Sequence, residues 1–204
     1  TGMLAMVIPT FSRRPMVGHT FVALSTVTTG LVGFGVWVHH MFATGLPQLS
    51  MTFFGAASIT VSIPSAVQIF AWLATMYYGR VVYTTSMLFA IAFIVQFVIG
   101  GISGVMTAAV PFDWQATDTY FVVAHIHYVL AGGTLFGVLA AIYYWYPKMY
   151  GRMLDERLGT LSFWLLFIGF NLAFFPMHVS GMLCMTRRVY TYAASMGWGP
   201  LNLL

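Results

Sequence analysis

Six histidines are the residues here with chemistry to offer, and four of them come as two pairs, His39-His40 and His125-x-His127. The sole cysteine, Cys184, excludes an internal disulfide and any cysteine-ligated metal or iron-sulfur centre, so histidine must carry any metal chemistry. Residues two apart on a helix point about 200° away from each other. His125 and His127 therefore cannot chelate one ion; as ligands they would serve two centres on opposite faces of one helix, linked through Ile126. Adjacent positions diverge by about 100° in a regular helix, but at a frayed helix end both His39 and His40 can turn toward one metal. Imidazole-only ligation suits copper, with iron, zinc and nickel also open from ligand type alone. A lone histidine in a membrane helix often does no more than hydrogen-bond a neighbouring helix. That reading fits His19 and His178, which we take as structural, better than it fits two pairs.

The elements that position these residues are membrane helices. The chain of 204 residues is 60% hydrophobic, 17% aromatic and 6% charged, with a mean hydropathy of +0.87, more apolar surface than a soluble domain can bury. Apolar runs separated by Gly, Pro and charge predict spans near 17–39, 51–79, 85–107, 120–147 and 159–184. The expected fold is all-α, a polytopic transmembrane bundle of about five helices in one membrane domain over 1–204. Pro64 inside the second run is tolerated where neighbouring helices satisfy the freed backbone groups, and the pairs Gly100-Gly101 and Gly132-Gly133 let helices approach closely. The start has no charged region followed by a short apolar core and cleavage site, so no signal peptide is expected, and both ends read as those of a fragment.

Topology follows from the cations. Arg13, Arg14, Arg80, Lys148, Arg152 and Arg157 fall on one side of the membrane, which the positive-inside rule makes the inner side. Arg187 and Arg188 lie outside and call for a local reason, either lipid phosphate or an anionic cofactor group. Both histidine pairs then lie in the outer half. His125 is seven residues, roughly 10 Å of helix, below Asp118, a depth compatible with a site shared with the end of the first span. The basic residues are scattered, and the net charge of +4 reflects few acids, which argues against nucleic-acid binding.

Trp37-Val38-His39-His40-Met41-Phe42 and Asp118-Thr119-Tyr120-Phe121-Val122-Val123-Ala124-His125-Ile126-His127-Tyr128-Val129-Leu130 resemble the signature regions of subunit I of haem-copper terminal oxidases. The resemblance continues through Phe70-Ala71-Trp72-Leu73-Ala74-Thr75-Met76, Asn171-Leu172-Ala173-Phe174-Phe175-Pro176 and Arg187-Arg188. It implies that the chain is the seventh to eleventh of twelve helices. It further implies that His39 and His40 are two of three copper ligands, that His125 binds a high-spin haem iron facing that copper, and that His127 binds a low-spin haem. Arg187, Arg188 and Asp113 would contact haem propionates, Asp113 having the alternative of an ordinary loop acid. The implied function is reduction of dioxygen to water with electrons from cytochrome c, coupled to proton uptake and translocation. The implied cofactors are two haems and copper; the implied partners are subunit II with a donor copper site, subunit III, cytochrome c, dioxygen and membrane lipids. The expected location is a bacterial plasma membrane in preference to a mitochondrial inner membrane. The third copper ligand lies upstream of this segment, so the segment alone is not expected to be active.

Two positions depart from the family. Gln68 stands where many members carry a proton-conducting lysine, and a neutral amide cannot carry a proton as an ammonium does. Ser58, Ser62 and Ser65, four and three residues apart, form a hydroxyl row on one helix face, open to a proton-path reading or to a packing role. Thr117 stands where the family has a histidine that binds magnesium with the next aspartate; this speaks against magnesium at Asp118, for which a helix N-cap is the alternative. Quinol-oxidising members commonly have Asn at the position of Tyr128, which favours cytochrome c as donor. The rivals are a nitric oxide reductase with non-haem iron and, from another class, a cofactor-free channel or transporter.

Overall fold

The computed structural model describes residues 1–202 and is all-helical apart from short connections. Helices α3 (Gln48–Thr60) and α4 (Ser62–Tyr77) run on from each other as one apolar stretch of 30 residues. Helix α5 (Thr85–Ala108) has 24 residues, α7 (Tyr120–His127) continues through a π-helical segment, Tyr128–Leu135, into α8 (Phe136–Tyr150), and α9 (Glu156–Met182) has 27. These make four helices long and apolar enough to cross a bilayer. The first expected span, 17–39, is shorter: α2 (His19–Phe34) has 16 residues, about 24 Å at 1.5 Å per residue against roughly 30 Å of hydrocarbon. Gly35 caps it, and a separate 3-10 turn, Trp37–His40, carries the first histidine pair. His39 and His40 thus sit on a tight turn rather than on a frayed α-helical end.

Local signals account for the starts and stops. Thr84 caps α5 by accepting from the Met87 amide, and Asp155 caps α9 by accepting from Leu158 N at 2.8 Å. Gly151, in the left-handed region at φ 68, ends α8. A short helix, α1 (Leu4–Phe11), has no counterpart among the expected spans. Eight residues are too few to cross a membrane, yet Leu4, Val7 and Ile8, spaced by three and one, are wholly buried. They join Trp72, Phe89, Phe93, Tyr128, Phe136, Phe163 and Phe170 in the core. Helix α5 lies at the centre, with buried side chains along its length, whereas Phe21, Leu31 and Phe34 of α2 and Leu158 and Leu165 of α9 are exposed apolar residues, as membrane helices present to lipid or to further helices.

Close approach of α5 to the chain after His127 depends on glycine. A Cβ on Gly100 would stand 3.0 Å from Tyr128 Cβ, and one on Gly132 would stand 2.8 Å from Gln96 Cβ. Gly101 faces open space, so only one residue of the first glycine pair serves the packing.

The two ends of the bundle differ in charge. At one end Arg80 N donates to Ser12 O at 2.8 Å, Arg14 Nη1 donates to Tyr78 O at 3.1 Å, and Lys148 Nζ lies 3.5 Å from the Tyr144 ring centroid. At the other end Tyr120 N donates to Met185 O at 2.9 Å and Arg187 N donates to Asp118 O at 2.8 Å, a short antiparallel bridge that joins the start of α7 to the chain after α9. The cation-rich end is cytoplasmic by the positive-inside rule, and both histidine pairs belong to the opposite half.

Candidate metal centres

His39, His40 and His125 converge. The His39 and His40 rings are 4.1 Å apart between centroids, and His40 and His125 are 6.3 Å apart. Each outer member is anchored through Nδ1. His125 Nδ1–H donates to Gly100 O at 2.9 Å, with Ser103 Oγ at 3.2 Å. His39 Nδ1–H donates to Ser58 Oγ at 3.1 Å, and the Ser58 hydroxyl donates in turn to Phe54 O at 2.6 Å. With Nδ1 protonated and held, Nε2 is the nitrogen left with a lone pair, the arrangement that protein partners impose on metal-binding imidazoles. The close seat of His125 on α5 depends on the missing side chain at Gly104, where a Cβ would lie 2.8 Å from its Cε1.

His127 faces elsewhere. Its Nδ1–H donates to Val123 O at 2.7 Å, and its ring lies flat against Phe174 of α9, 4.1 Å between centroids and 16° between planes. One histidine of the pair therefore addresses α5 and the turn at His39-His40, the other addresses α9.

Between α3, α4, α5 and α7 lies a cavity of about 750 Å³, lined by His39, His40 and His125, by Ser58, Ser62 and Ser65, and otherwise by apolar side chains and glycines. The serine hydroxyls donate to the preceding turn of the continuous α3–α4 stretch, Ser62 to Ile59 O at 2.6 Å and Ser65 to Val61 O at 3.1 Å, so each presents an acceptor to the cavity. Gln68 is not part of the lining. It is buried, and its Nε2 donates to Thr26 Oγ1 of α2 at 3.4 Å.

Asp113, Asp118, Arg187 and Arg188 occupy the outer end. Asp113, on α6 (Val110–Ala116), is 1% exposed and neither carboxyl oxygen has a hydrogen-bond partner. Burial, and then the charge of Asp118, push its pKa up from 3.8 to about 6. Asp118 takes the left-handed region at φ 58, and its Oδ1 accepts from Arg187 Nε at 2.9 Å. It is not the N-cap of α7: that place belongs to Thr119, whose hydroxyl accepts from Phe121 N at 3.2 Å, because the turn at Asp118 directs the aspartate carboxylate away from the helix and onto Arg187. Arg188 is exposed, also at positive φ, 68°. His19 opens α2 at the surface, and His178 donates through Nδ1 to Phe175 O at 3.3 Å while its ring packs on Phe121.

Copper and haem fit these residues. The free Nε2 atoms, the apolar cavity of cofactor dimensions and the orphaned Asp113 carboxyl are what such groups require. Two imidazoles do not complete a copper site, and among the described residues no group of three or more His, Cys, Asp or Glu could hold one ion. Magnesium does not fit: Thr117 offers only a hydroxyl, and the Asp118 carboxylate is engaged by a guanidinium.

The fold and the site define a helical membrane protein whose paired histidines face two separate sides of one helix. All of residues 1–204 match the family described as cytochrome c and quinol oxidase polypeptide I, and the chain belongs to that family. It is 48% identical over 203 residues to cytochrome c oxidase subunit 1 of Bacillus subtilis (strain 168), covering 100% of this chain and 33% of that protein. It is 47% identical to the protein of the same name from Bacillus sp. (strain PS3), again covering 100% of this chain and 33% of that one. Quinol oxidase subunit 1 of Bacillus spizizenii is 45% identical, with 100% of this chain and 31% of that protein covered. The chain spans about a third of the length of the curated relatives it matches. The relatives and the apolar helices make it part of a bacterial membrane protein.

Proposed function

We propose that this chain belongs to the catalytic subunit of a terminal oxidase that reduces dioxygen to water with electrons from cytochrome c. The observation that carries the reading is the convergence of His40 and His125 across one apolar cavity, with His39 beside them and the Nδ1 atoms of His39 and His125 tied to Ser58 and Gly100. His39 and His40 would supply two copper ligands, His125 the ligand of a high-spin haem iron and His127 that of a low-spin haem. Bound there, the metals supply the electron chemistry. The protein holds the imidazoles, keeps bulk water out with an apolar lining and places charge at the outer rim.

At that rim Arg187 and Arg188 supply positive charge suited to haem propionates. Arg187 already neutralises Asp118, so an anionic group arriving there would share a guanidinium rather than find a free one. Asp113, neutral below its raised pKa, can donate a hydrogen bond to a propionate oxygen where an ionised carboxylate would repel it. Proton delivery through α4 would run over Ser62 and Ser65 to Ser58 and His39, since these hydroxyls line the cavity and Gln68 does not.

In the complete enzyme we place subunit II with its donor copper site, subunit III and surrounding lipid as partners. A quinol donor is the second reading, because quinol oxidase subunit 1 proteins stand among the relatives at almost the same identity. Oxygen uptake by the purified complete enzyme with reduced cytochrome c and with quinol decides the donor. Iron and copper analysis decides the metal centre: copper beside two haem irons is expected, and a third iron in place of copper would overturn the oxidase reading in favour of a nitric oxide reductase, which the oxidase relatives do not favour.

A further inference from the structure

His127 is held at two points. Its Nδ1–H donates to Val123 O at 2.7 Å, one helical turn back, which leaves Nε2 as the outward nitrogen. A single hydrogen bond still lets an imidazole rock about its own axis. The flat contact with Phe174, 4.1 Å and 16°, removes that freedom, because tilting the ring would drive one edge into the phenyl face.

Phe174 is itself held in register. Tyr128, the residue after His127 and wholly buried, donates its hydroxyl to Asn171 Oδ1 at 2.7 Å. Asn171 Nδ2 donates to Phe167 O at 2.7 Å, so the acceptor cannot swing away. Asn171 and Phe174 are three residues apart and share a face of α9. The hydrogen bond thus locks α9 against the chain at the point where α7 widens into the π-helical segment, whose backbone ladder is less regular than that of an α-helix and gains from a side-chain anchor.

We propose that Phe174, kept in register by the Tyr128–Asn171 hydrogen bond, is a positioning residue that sets the plane of the His127 imidazole. The proposal rests on the reading of His127 as a haem ligand. Its consequence is electronic: the orientation of an axial imidazole plane governs its overlap with iron orbitals, so protein groups that fix the plane tune the spectrum and the reduction potential of the centre.

The test uses the complete enzyme, with low-temperature electron paramagnetic resonance of the oxidised low-spin haem and a redox titration. Phe174→Leu is expected to retain haem content while shifting the low-spin g values and midpoint potential, and Phe174→Tyr, which keeps a flat ring, is expected to restore both. Tyr128→Phe and Asn171→Leu should each give a smaller shift, and the double variant no more than the larger single, because both remove the same hydrogen bond. Unchanged g values in assembled Phe174→Leu, or equal shifts in the Leu and Tyr variants, would overturn the positioning role. If Phe174→Leu does not assemble, Tyr128→Phe decides alone, since it removes one oxygen and no packing volume: a shift supports the proposal and its absence refutes it. His127→Ala separates the two levels, because a low-spin signal that survives it sinks the ligand reading itself.

Discussion

Gly104→Ala should misplace His125 by crowding its ring from α5. The added Cβ would stand 2.8 Å from His125 Cε1 and 3.5 Å from its Nδ1, whereas carbon atoms in contact prefer about 3.5 to 4.0 Å. Relief requires the ring edge to move by roughly 0.7 Å or α5 to shift by as much. The ring is pinned at Gly100 O by a 2.9 Å bond, and Cε1 lies between Nδ1 and Nε2, so the displacement is passed to Nε2, the nitrogen proposed to ligate. Overpacking of this size costs about 1 to 3 kcal/mol, and a misplacement approaching 1 Å at a reacting centre can lower turnover by roughly 100-fold. The assay is carbon monoxide binding to the reduced complete enzyme, read as the difference spectrum and the rebinding rate, together with oxygen uptake. Gly169→Ala is the control, because a Cβ there meets nothing within 4 Å and should alter stability by no more than about 1 kcal/mol. Wild-type carbon monoxide kinetics and turnover in assembled Gly104→Ala would refute the claim that α5 sets the position of His125.

The other predictions concern charge and protons. Arg187→Ala with Arg188→Ala should lower haem reduction potentials, since losing positive charge favours the oxidised state and Asp118 is left unneutralised; unchanged potentials by redox titration would point to lipid phosphate as their partner. Asp113 has a folded-state pKa raised from 3.8 to about 6, so the folded protein pays for its ionisation as pH rises through that window, a loss of up to about 3 kcal/mol that is complete above pH 6. Asp113→Asn should therefore raise the thermal midpoint at pH 7 to 8 and not at pH 4, and an equal effect at both pH values would contradict the assignment. Ser62→Ala with Ser65→Ala should slow haem reduction in stopped-flow measurements, because a water chain needs polar partners at short intervals; full turnover in the assembled double variant would remove α4 from the proton path.

Most of the fold was legible in the sequence because length and hydropathy are local properties. Uninterrupted apolar runs have few structural solutions in a bilayer, and the runs near 51–79, 85–107, 120–147 and 159–184 became helices over 48–77, 85–108, 120–150 and 156–182. Opposite-facing side chains at His125 and His127 followed from helical period alone, since the direction of a side chain about its own axis needs no partner to define it. The burial of Leu4, Val7 and Ile8 escaped, because a short apolar helix declares itself only through what it packs against. The 3-10 turn under His39 and His40 and the π-helical stretch after His127 escaped too, since both replace a regular helix at places where composition changes little.

Which residue His39, His125 and Arg187 lean on was settled only by packing between distant parts of the chain. Ser58 is 19 positions from His39, Gly100 is 25 from His125, and Asp118 is 69 from Arg187. Nothing local distinguishes Ser58 from Ser62 and Ser65, and only the crossing of α3 against the turn at His39 makes one hydroxyl an anchor and leaves the others facing the cavity. The types and spacing of the histidines therefore determined by themselves that two centres could be served. Tertiary structure decided which nitrogen of the His39 and His125 rings was left free, because that depends on where another helix offers an acceptor.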